Sequence, residues 1–252
     1  MPSKITSPHN QRLKEIRKLR QRRRWRERSG SFVAEGEDLL AAADSAGWQP
    51  AERYCAAGSG LAGTEVEPDV LASASGLASG TRALAVYQER WSEAAVGPLC
   101  VYLHGVHDPG NVGAILRGAE AFGASSVVLG AGAADPFSPK AVRASMGAVF
   151  SVPLVRAGDL GALPGAKIAL VPGQGMPLHE LWPWMSNRST QTDKVPPAEL
   201  TLLLGAEREG LPQDVIEQAD LITHIPTAND SLNVAMAATV ALYELAIRMA
   251  RS

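Results

Sequence analysis

The sequence predicts an α/β protein in two parts: a small α/β unit over residues 1–95 and a larger α/β domain over 96–252 with a mostly parallel sheet. Two observations carry this reading. Beyond residue 98, six apolar strand candidates recur between helical or polar segments, and several are unbroken apolar runs, as strands buried on both faces of a parallel sheet require. Gly97-Pro98 interrupts the pattern just ahead of the first of them. The positive charge is concentrated at the start of the first part. Residues 1–28 hold eleven Lys/Arg against Glu15 and Glu27, a balance of +9, so in a chain of net charge −2 the remainder carries −11.

Taking the elements in order, Leu13, Ile16, Leu19 and Trp25 put one thin apolar stripe on an otherwise basic helix from Asn10 to about Arg28. A strand over "SFVAEG" and a helix over "EDLLAAADSAG" follow, the helix closed by Gly47. "AERYCAA" and "TRALAVYQ" are further strands, with a helix near Pro68 to Ala74 between them. In the second part the strand candidates are 99–106, 126–130, 150–155, 167–172, 200–205 and 221–226. The polar, proline-bounded stretch 182–197 is expected to be a surface loop.

At 252 residues with 46% hydrophobic content, the chain is long enough to bury a substantial core. It has no run of the roughly 18 apolar residues a membrane span needs, and its basic N-terminus has no apolar stretch behind it, so a soluble cytoplasmic protein is expected. Cys55 and Cys100 stand alone, which argues against a disulfide framework and a structural zinc site. Concentrated positive charge on an acidic protein is the footprint of a nucleic-acid binder; a solvated helix or a localisation tail would read the same.

Three segments carry the candidate chemistry. In "HDPGNVGAILRGAEAFG" a strand turns through Asp108-Pro109-Gly110 into a helix that bears Asn111 and Arg117, at the carboxyl edge of a strand, where open α/β sheets place ligands. Taken locally, Arg117 is better explained by an ion pair with Glu120 or another acid. In "LLLGAEREGLP" a strand delivers Gly205, whose missing side chain permits close approach to the backbone, and then Glu207. In "HIPTANDSLNVAMAAT" a strand ends at Ile225-Pro226, Ser231 is placed to cap a long helix, and Leu232 and Asn233 open it. Alone, the last two are an ordinary strand-to-helix loop and a helix cap.

In combination and in this order, N-x-G-x-x-x-R-x-A-x-x-F-G, G-x-E-x-x-G-L and I-P…S-L-N-V closely resemble the SpoU/TrmH family of RNA 2′-O-ribose methyltransferases, of the SPOUT class, over about Leu99 to Met249. "SPHNQRLKEIRKLRQRRR" and "FVAEGEDLL" resemble more loosely the start of that family's N-terminal RNA-binding unit. The resemblance implies a sheet threaded into a trefoil knot, which nothing in periodicity reveals and which general topology disfavours. It implies S-adenosylmethionine as methyl donor, held by backbone groups at Gly205, Ile225 and Leu232, with no metal. It implies functional roles for Asn111, Arg117, Glu207, Ser231 and Asn233. A guanidinium is almost never deprotonated in a protein, so Arg117 is expected to grip a phosphate and stabilise a developing alkoxide while Glu207, Ser231 and Asn233 orient it, the loop or the ribose.

The segment "KAVRASMGAVFSVPLV" resembles the family's stretch ahead of a central strand and suggests Arg143 and Ser145 as RNA-side or cofactor-side contacts. The basic segment would hold RNA through Arg12, Arg17, Arg20, Arg22, Arg23 and Arg24. The family also implies a homodimer through the knot region, and the small residues Ala235, Ala237, Ala238 and Ala241 would suit close helix packing there. A separate N-terminal unit favours 23S rRNA over tRNA as substrate. The rival reading is a noncatalytic RNA-binding or assembly factor on the same fold.

Overall fold

The computed structural model describes residues 4–77, 80–181, 199–228 and 232–249. They fall into two compact units, Met1–Arg90 with Asp135–Ser151, and Trp91–Ala134 with Val152–Ser252. The expected loop at 182–197 and the expected cap Ser231 lie outside the described residues.

The first unit opens with α1 (Gln11–Gln21) and α2 (Arg23–Ser29), where the sequence suggests one helix. Arg22 adopts an extended conformation between them. The break has a physical cause: Arg26 is turned inward, its Nη1 donating to the Leu19 carbonyl at 2.7 Å and its Nη2 pairing with Asp135 at 2.7 Å. One guanidinium thereby satisfies carbonyls at the end of α1 and neutralises a nearly buried acid. The stripe Leu13, Ile16 and Leu19 packs into a core with Tyr54, Leu71 and Leu84. Then come β1 (Ser31–Glu35), α3 (Glu37–Ser45), β2 (Glu52–Ala56), β3 (Thr64–Val66), α4 (Pro68–Ala74) and β4 (Ala83–Gln88), with sheet order β1-β4-β2-β3.

The chain continues through β5 (Leu99–Leu103), α5 (Pro109–Ala121) and β6 (Ser126–Leu129) of the second unit before supplying α6 (Pro139–Ser145) and α7 (Ala148–Ser151) to the first. Phe137 and Phe150 of that segment join Phe32, Trp48 and Tyr87 in an aromatic cluster with centroid separations of 4.7 to 6.3 Å. Trp48 Nε1 also donates to the Phe150 carbonyl at 2.8 Å. Phe150 was expected to begin a strand; it lies in α7 instead, and the strand starts only after Pro153, whose carbonyl accepts from Val127.

The second unit is completed by β7 (Leu154–Arg156), β8 (Ala166–Leu170), β9 (Met176–Pro177), β10 (Leu200–Leu204), α8 (Gln213–Ile216), β11 (Leu221–His224) and α9 (Val234–Met249). Its seven strands are all parallel, in the order β7-β6-β5-β10-β8-β11-β9. The unbroken apolar run Leu200–Leu204 is β10, fully buried between β5 and β8, as the sequence pattern required. α5 packs against α9: a side chain at Gly118 would touch Thr239 Oγ1, and Phe122 meets Tyr243 edge-on. Among the described residues no helix is long and apolar enough to cross a membrane, and no cluster of metal-ligating side chains occurs. Burial pushes the Cys100 thiol above its ordinary range, leaving it inert as a nucleophile.

Candidate active site

Strands β5 and β10 are neighbours, so the loops leaving their carboxyl ends converge. After β5, Asp108 caps α5 by accepting from the Gly110 amide at 2.6 Å, with Pro109 at the first helical position, which places Asn111 in the first turn. After β10, Ala206 and Gly210 exchange backbone hydrogen bonds at 3.1 and 3.0 Å, folding Glu207 outward on a tight loop. Gly205 is required there chiefly by the loop itself, because a Cβ would overlap the Gly210 carbonyl carbon and the Leu211 nitrogen. That differs from the expected reason, close approach of a ligand.

Asn111 Nδ2 donates to Glu207 Oε1 at 2.6 Å, and Asn233 Nδ2 donates to Asn111 Oδ1 at 3.2 Å. One hydrogen-bonded chain thus joins all three sequence motifs. Asn233 Oδ1 in turn accepts from the Ala235 and Met236 amides, at 3.0 and 3.3 Å, so Asn233 is itself the cap of α9, the task expected of Ser231. Of the roles open to Glu207, orienting the arginine, the loop or the ribose, the structure shows it holding Asn111.

Arg117 is exposed on α5 and makes no hydrogen bond or ion pair among the described residues, so neither burial nor a pair with Glu120 explains it. It lies six positions after Asn111, which leaves the two side chains about 120° apart around the helix axis. Among the described residues Arg117 stands apart from the chain of three.

Gly205, Ile225 and Leu232 line a single cavity of about 760 Å³, together with Glu207, Thr227 and Ala237. Its walls are the loops after β8, β10 and β11 and the start of α9. A volume in the range of ligand pockets, mostly apolar walls and a few convergent polar groups suit a nucleoside-sized ligand. Sequence reasoning missed its third wall, Pro172 and Gly173, and the pocket residues Arg208 and His224. The Gly/Pro-rich "VPGQG" directly after a strand was the available signal.

In the first unit, the basic residues divide. Arg12, Arg22 and Arg24 are exposed, and Arg23 is exposed while paired with Glu27 at 2.8 Å. Arg17 donates to the Pro8 carbonyl at 2.8 Å and to Ser73 Oγ at 3.0 Å. Arg20 pairs with Glu35, which is buried and also accepts from Ser75 Oγ and the Gly76 amide, each at 2.9 Å. Arg20 therefore belongs to the interior of this unit and not to the cationic surface expected. Arg143, half-buried, lies in the last turn of α6. Ser145 is fully buried and donates to the Val142 carbonyl at 2.8 Å, so the contact expected of it with RNA or cofactor is replaced by a structural one.

The small face of α9 also turns inward. Ala235, Ala238 and Ala241 are buried and Ala237 lines the cavity, whereas Met236, Val240 and Tyr243 are 59%, 43% and 52% exposed.

Residues 98–243 match the SpoU rRNA Methylase family, and residues 10–93 match the MRM3-like substrate binding domain. The chain is 34% identical over 143 residues to the 23S rRNA (guanosine(2553)-2′-O)-methyltransferase RlmP of Bacillus subtilis, covering 56% of this chain and 54% of that one. It is 31% identical over 261 residues to an uncharacterized tRNA/rRNA methyltransferase of Synechocystis, covering 95% and 92%. The chain spans about half the length of several curated relatives it matches, RlmP among them. The AdoMet-bound rRNA methyltransferase of Sinorhizobium meliloti superposes with a TM-score of 0.81 at 30% identity, covering 98% and 97%. The SpoU methyltransferase AviRb of Streptomyces viridochromogenes, in complex with AdoMet, gives 0.80 at 27%, covering 97% and 99%. The family match spans more than half of the chain, and the chain belongs to the SpoU rRNA methylase family.

Proposed function

We propose that this protein transfers a methyl group from S-adenosylmethionine to a ribose 2′-hydroxyl of structured RNA, with 23S rRNA the favoured substrate. The observation that carries the reading is the hydrogen-bonded chain Glu207–Asn111–Asn233, whose Glu207 also lines the cavity. A catalytic cluster tied to a nucleoside-sized pocket has no use in a module that only binds RNA. Relatives solved with AdoMet support the choice of cofactor.

S-adenosylmethionine supplies an electrophilic methyl group on a sulfonium centre. The residues of this chain must then hold it and bring a poor nucleophile into line with it. Leu204, Ile225, Leu232 and Val234 would offer apolar surface to the adenosine, with Gly205 in the wall beside them. Asn111, fixed on one side by Glu207 and on the other by Asn233, orients the ribose; Ser231, two positions before Asn233, assists. Arg117, which has no ion pair among the described residues, grips the phosphate next to the target nucleotide and stabilises the alkoxide as the proton leaves to phosphate or water.

An RNA-binding role for the first unit, which takes in residues 135–151 and so departs from the expected bounds 1–95 and 96–252, and a methyltransferase role with a trefoil knot for the second complete the reading. Arg12, Arg22, Arg23, Arg24 and Arg143 are the proposed RNA contacts, acting by phosphate and shape. The protein works in the cytoplasm as a homodimer. The exposed positions Met236, Val240 and Tyr243 lie at i, i+4 and i+7 on α9 and form one apolar stripe, which supports a second copy packing there. Tyr243→Arg should shift the protein from dimer to monomer by light scattering.

The decisive experiment is to map 2′-O-methyl positions in RNA from cells with and without the gene, alongside transfer from labelled S-adenosylmethionine to rRNA and tRNA at low salt. One rRNA ribose lost in the deletion is expected. A tRNA site would redirect the substrate, and no transfer to either RNA would overturn the enzyme reading.

A further inference from the structure

His224, the last residue of β11, lines the cavity, and its Nδ1 lies 3.1 Å from the carbonyl oxygen of Gln174. A carbonyl oxygen only accepts, so Nδ1 carries the proton of this imidazole. Gln174 sits in the loop between β8 and β9, flanked by Gly173 (φ 67°) and Gly175 (φ 69°), both in the left-handed region that favours glycine.

The two ends of that loop are tied to β11 by the backbone. At the start, the Val171 amide donates to the Thr223 carbonyl at 2.9 Å. At the end, Thr223 Oγ1 donates to the Met176 carbonyl at 2.8 Å, and Gly175 lies so close that a Cβ would overlap the Ile222 carbonyl. Between these ties Pro172, Gly173 and Gln174 are exposed, and Pro172 and Gly173 form the cavity wall. The Gln174 amide bonds back to Val171 at 3.2 Å within the turn, so the imidazole is the side chain that ties the middle of the loop to the sheet.

We propose that His224 is a positioning residue that latches the 172–175 loop as one wall of the S-adenosylmethionine cavity. The inference rests on placing the cofactor in that cavity. Without the latch, two left-handed glycines leave the loop free to swing, and cofactor binding has to order it each time. The effect therefore falls on cofactor affinity and on the loop's own stability, and leaves the methyl-transfer step at saturating cofactor unchanged.

Three substitutions separate this role from simple filling of space. His224→Ala removes the donor. His224→Asn keeps an amide nitrogen near the place of Nδ1, whereas His224→Gln, closer in size to histidine, carries it out to the place of Nε2. Calorimetry with S-adenosylmethionine should show affinity about tenfold weaker in His224→Ala and His224→Gln, with His224→Asn restored to within about threefold of the parent. In cofactor-free protein, amide exchange at Gly173 to Met176 should quicken in the first two variants and not in His224→Asn. Turnover at saturating cofactor should stay within about twofold throughout.

Parental affinity in His224→Ala, or His224→Asn no better than His224→Gln, overturns the latch. Ala237→Phe tests the underlying placement separately, because it puts a ring into the cavity from α9 and leaves the loop and His224 unaltered in sequence. If that variant binds the cofactor normally, the cofactor lies elsewhere and the proposal falls with it, whatever the exchange rates show.

Discussion

Exchanging the donor and acceptor of the Asn111–Glu207 hydrogen bond tests whether Asn111 acts through that bond. In Asn111→Asp, the N–H that met Glu207 at 2.6 Å is replaced by a carboxylate oxygen. The loss of a hydrogen bond to a charged group costs about 1.5–3 kcal/mol, and two carboxylates facing one another add on the order of 1 kcal/mol at effective dielectric constants between those of water and a surface site. Because this contact reaches solvent, the lower half of the summed range applies, about 2.5–3.3 kcal/mol, or roughly 70-fold to 250-fold in rate. Adding Glu207→Gln to the same protein supplies a donor at position 207 that points at the new carboxylate at position 111. That carboxylate also keeps the bond from Asn233, which in the parent donates to the Asn111 side chain at 3.2 Å. The double variant should therefore recover to within about tenfold of the parent, although each single variant is impaired, a coupling of more than about 1 kcal/mol. Single-turnover transfer from labelled S-adenosylmethionine to the cognate RNA, with enzyme in excess, reads this directly. A double variant as slow as the product of the two singles would refute the claim that Asn111 is held by Glu207 for catalysis.

Three further outcomes follow from the geometry. Arg117→Ala should bind S-adenosylmethionine within about twofold of the parent by calorimetry yet lose turnover by about 10²–10³, with Arg117→Lys rescuing little, since a fork-shaped donor is required; loss of cofactor binding would overturn the placement of Arg117 on the RNA side. Replacing the exposed Arg22 and Arg24 by Ser should lower the slope of log affinity for RNA against log salt by about 1.4–1.8 without changing the melting temperature, measured by filter binding between about 50 and 200 mM salt. Asp135→Ala leaves the Arg26 guanidinium, 2.7 Å from it in the parent, inside the first unit without its counter-charge, and should destabilise that unit by about 3–5 kcal/mol in urea denaturation, with Asp135→Asn milder.

The parallel sheet was legible because burial on both faces leaves a continuous apolar run, as in Leu200–Leu204, and no other requirement competes with it. The candidate site was legible as three motifs, but their relation was not. The Asn111–Glu207 and Asn111–Asn233 contacts span 96 and 122 positions, and nothing in local spacing encodes such a distance. The early helix reads as continuous because Arg26 resembles every other member of a basic run; its burial depends on Asp135, 109 positions away. Phe150 reads as strand because a short apolar run has the same composition whether it pairs in a sheet or closes an aromatic cluster, and only its contacts with Phe32, Trp48 and Tyr87 decide between them.

By itself, then, the sequence determined which residues are apolar enough to be strands, where helices begin, and which polar residues gather at strand ends, because these follow from periodicity, capping and turn chemistry within a few positions. Tertiary structure alone decided which cations face solvent and which serve the interior, that residues 135–151 complete the first unit, and that Asn111 rather than Arg117 is the partner of Glu207. The reason is physical: a charge is buried only where a partner from a distant part of the chain offsets its desolvation, and that partner exists only once the chain has folded.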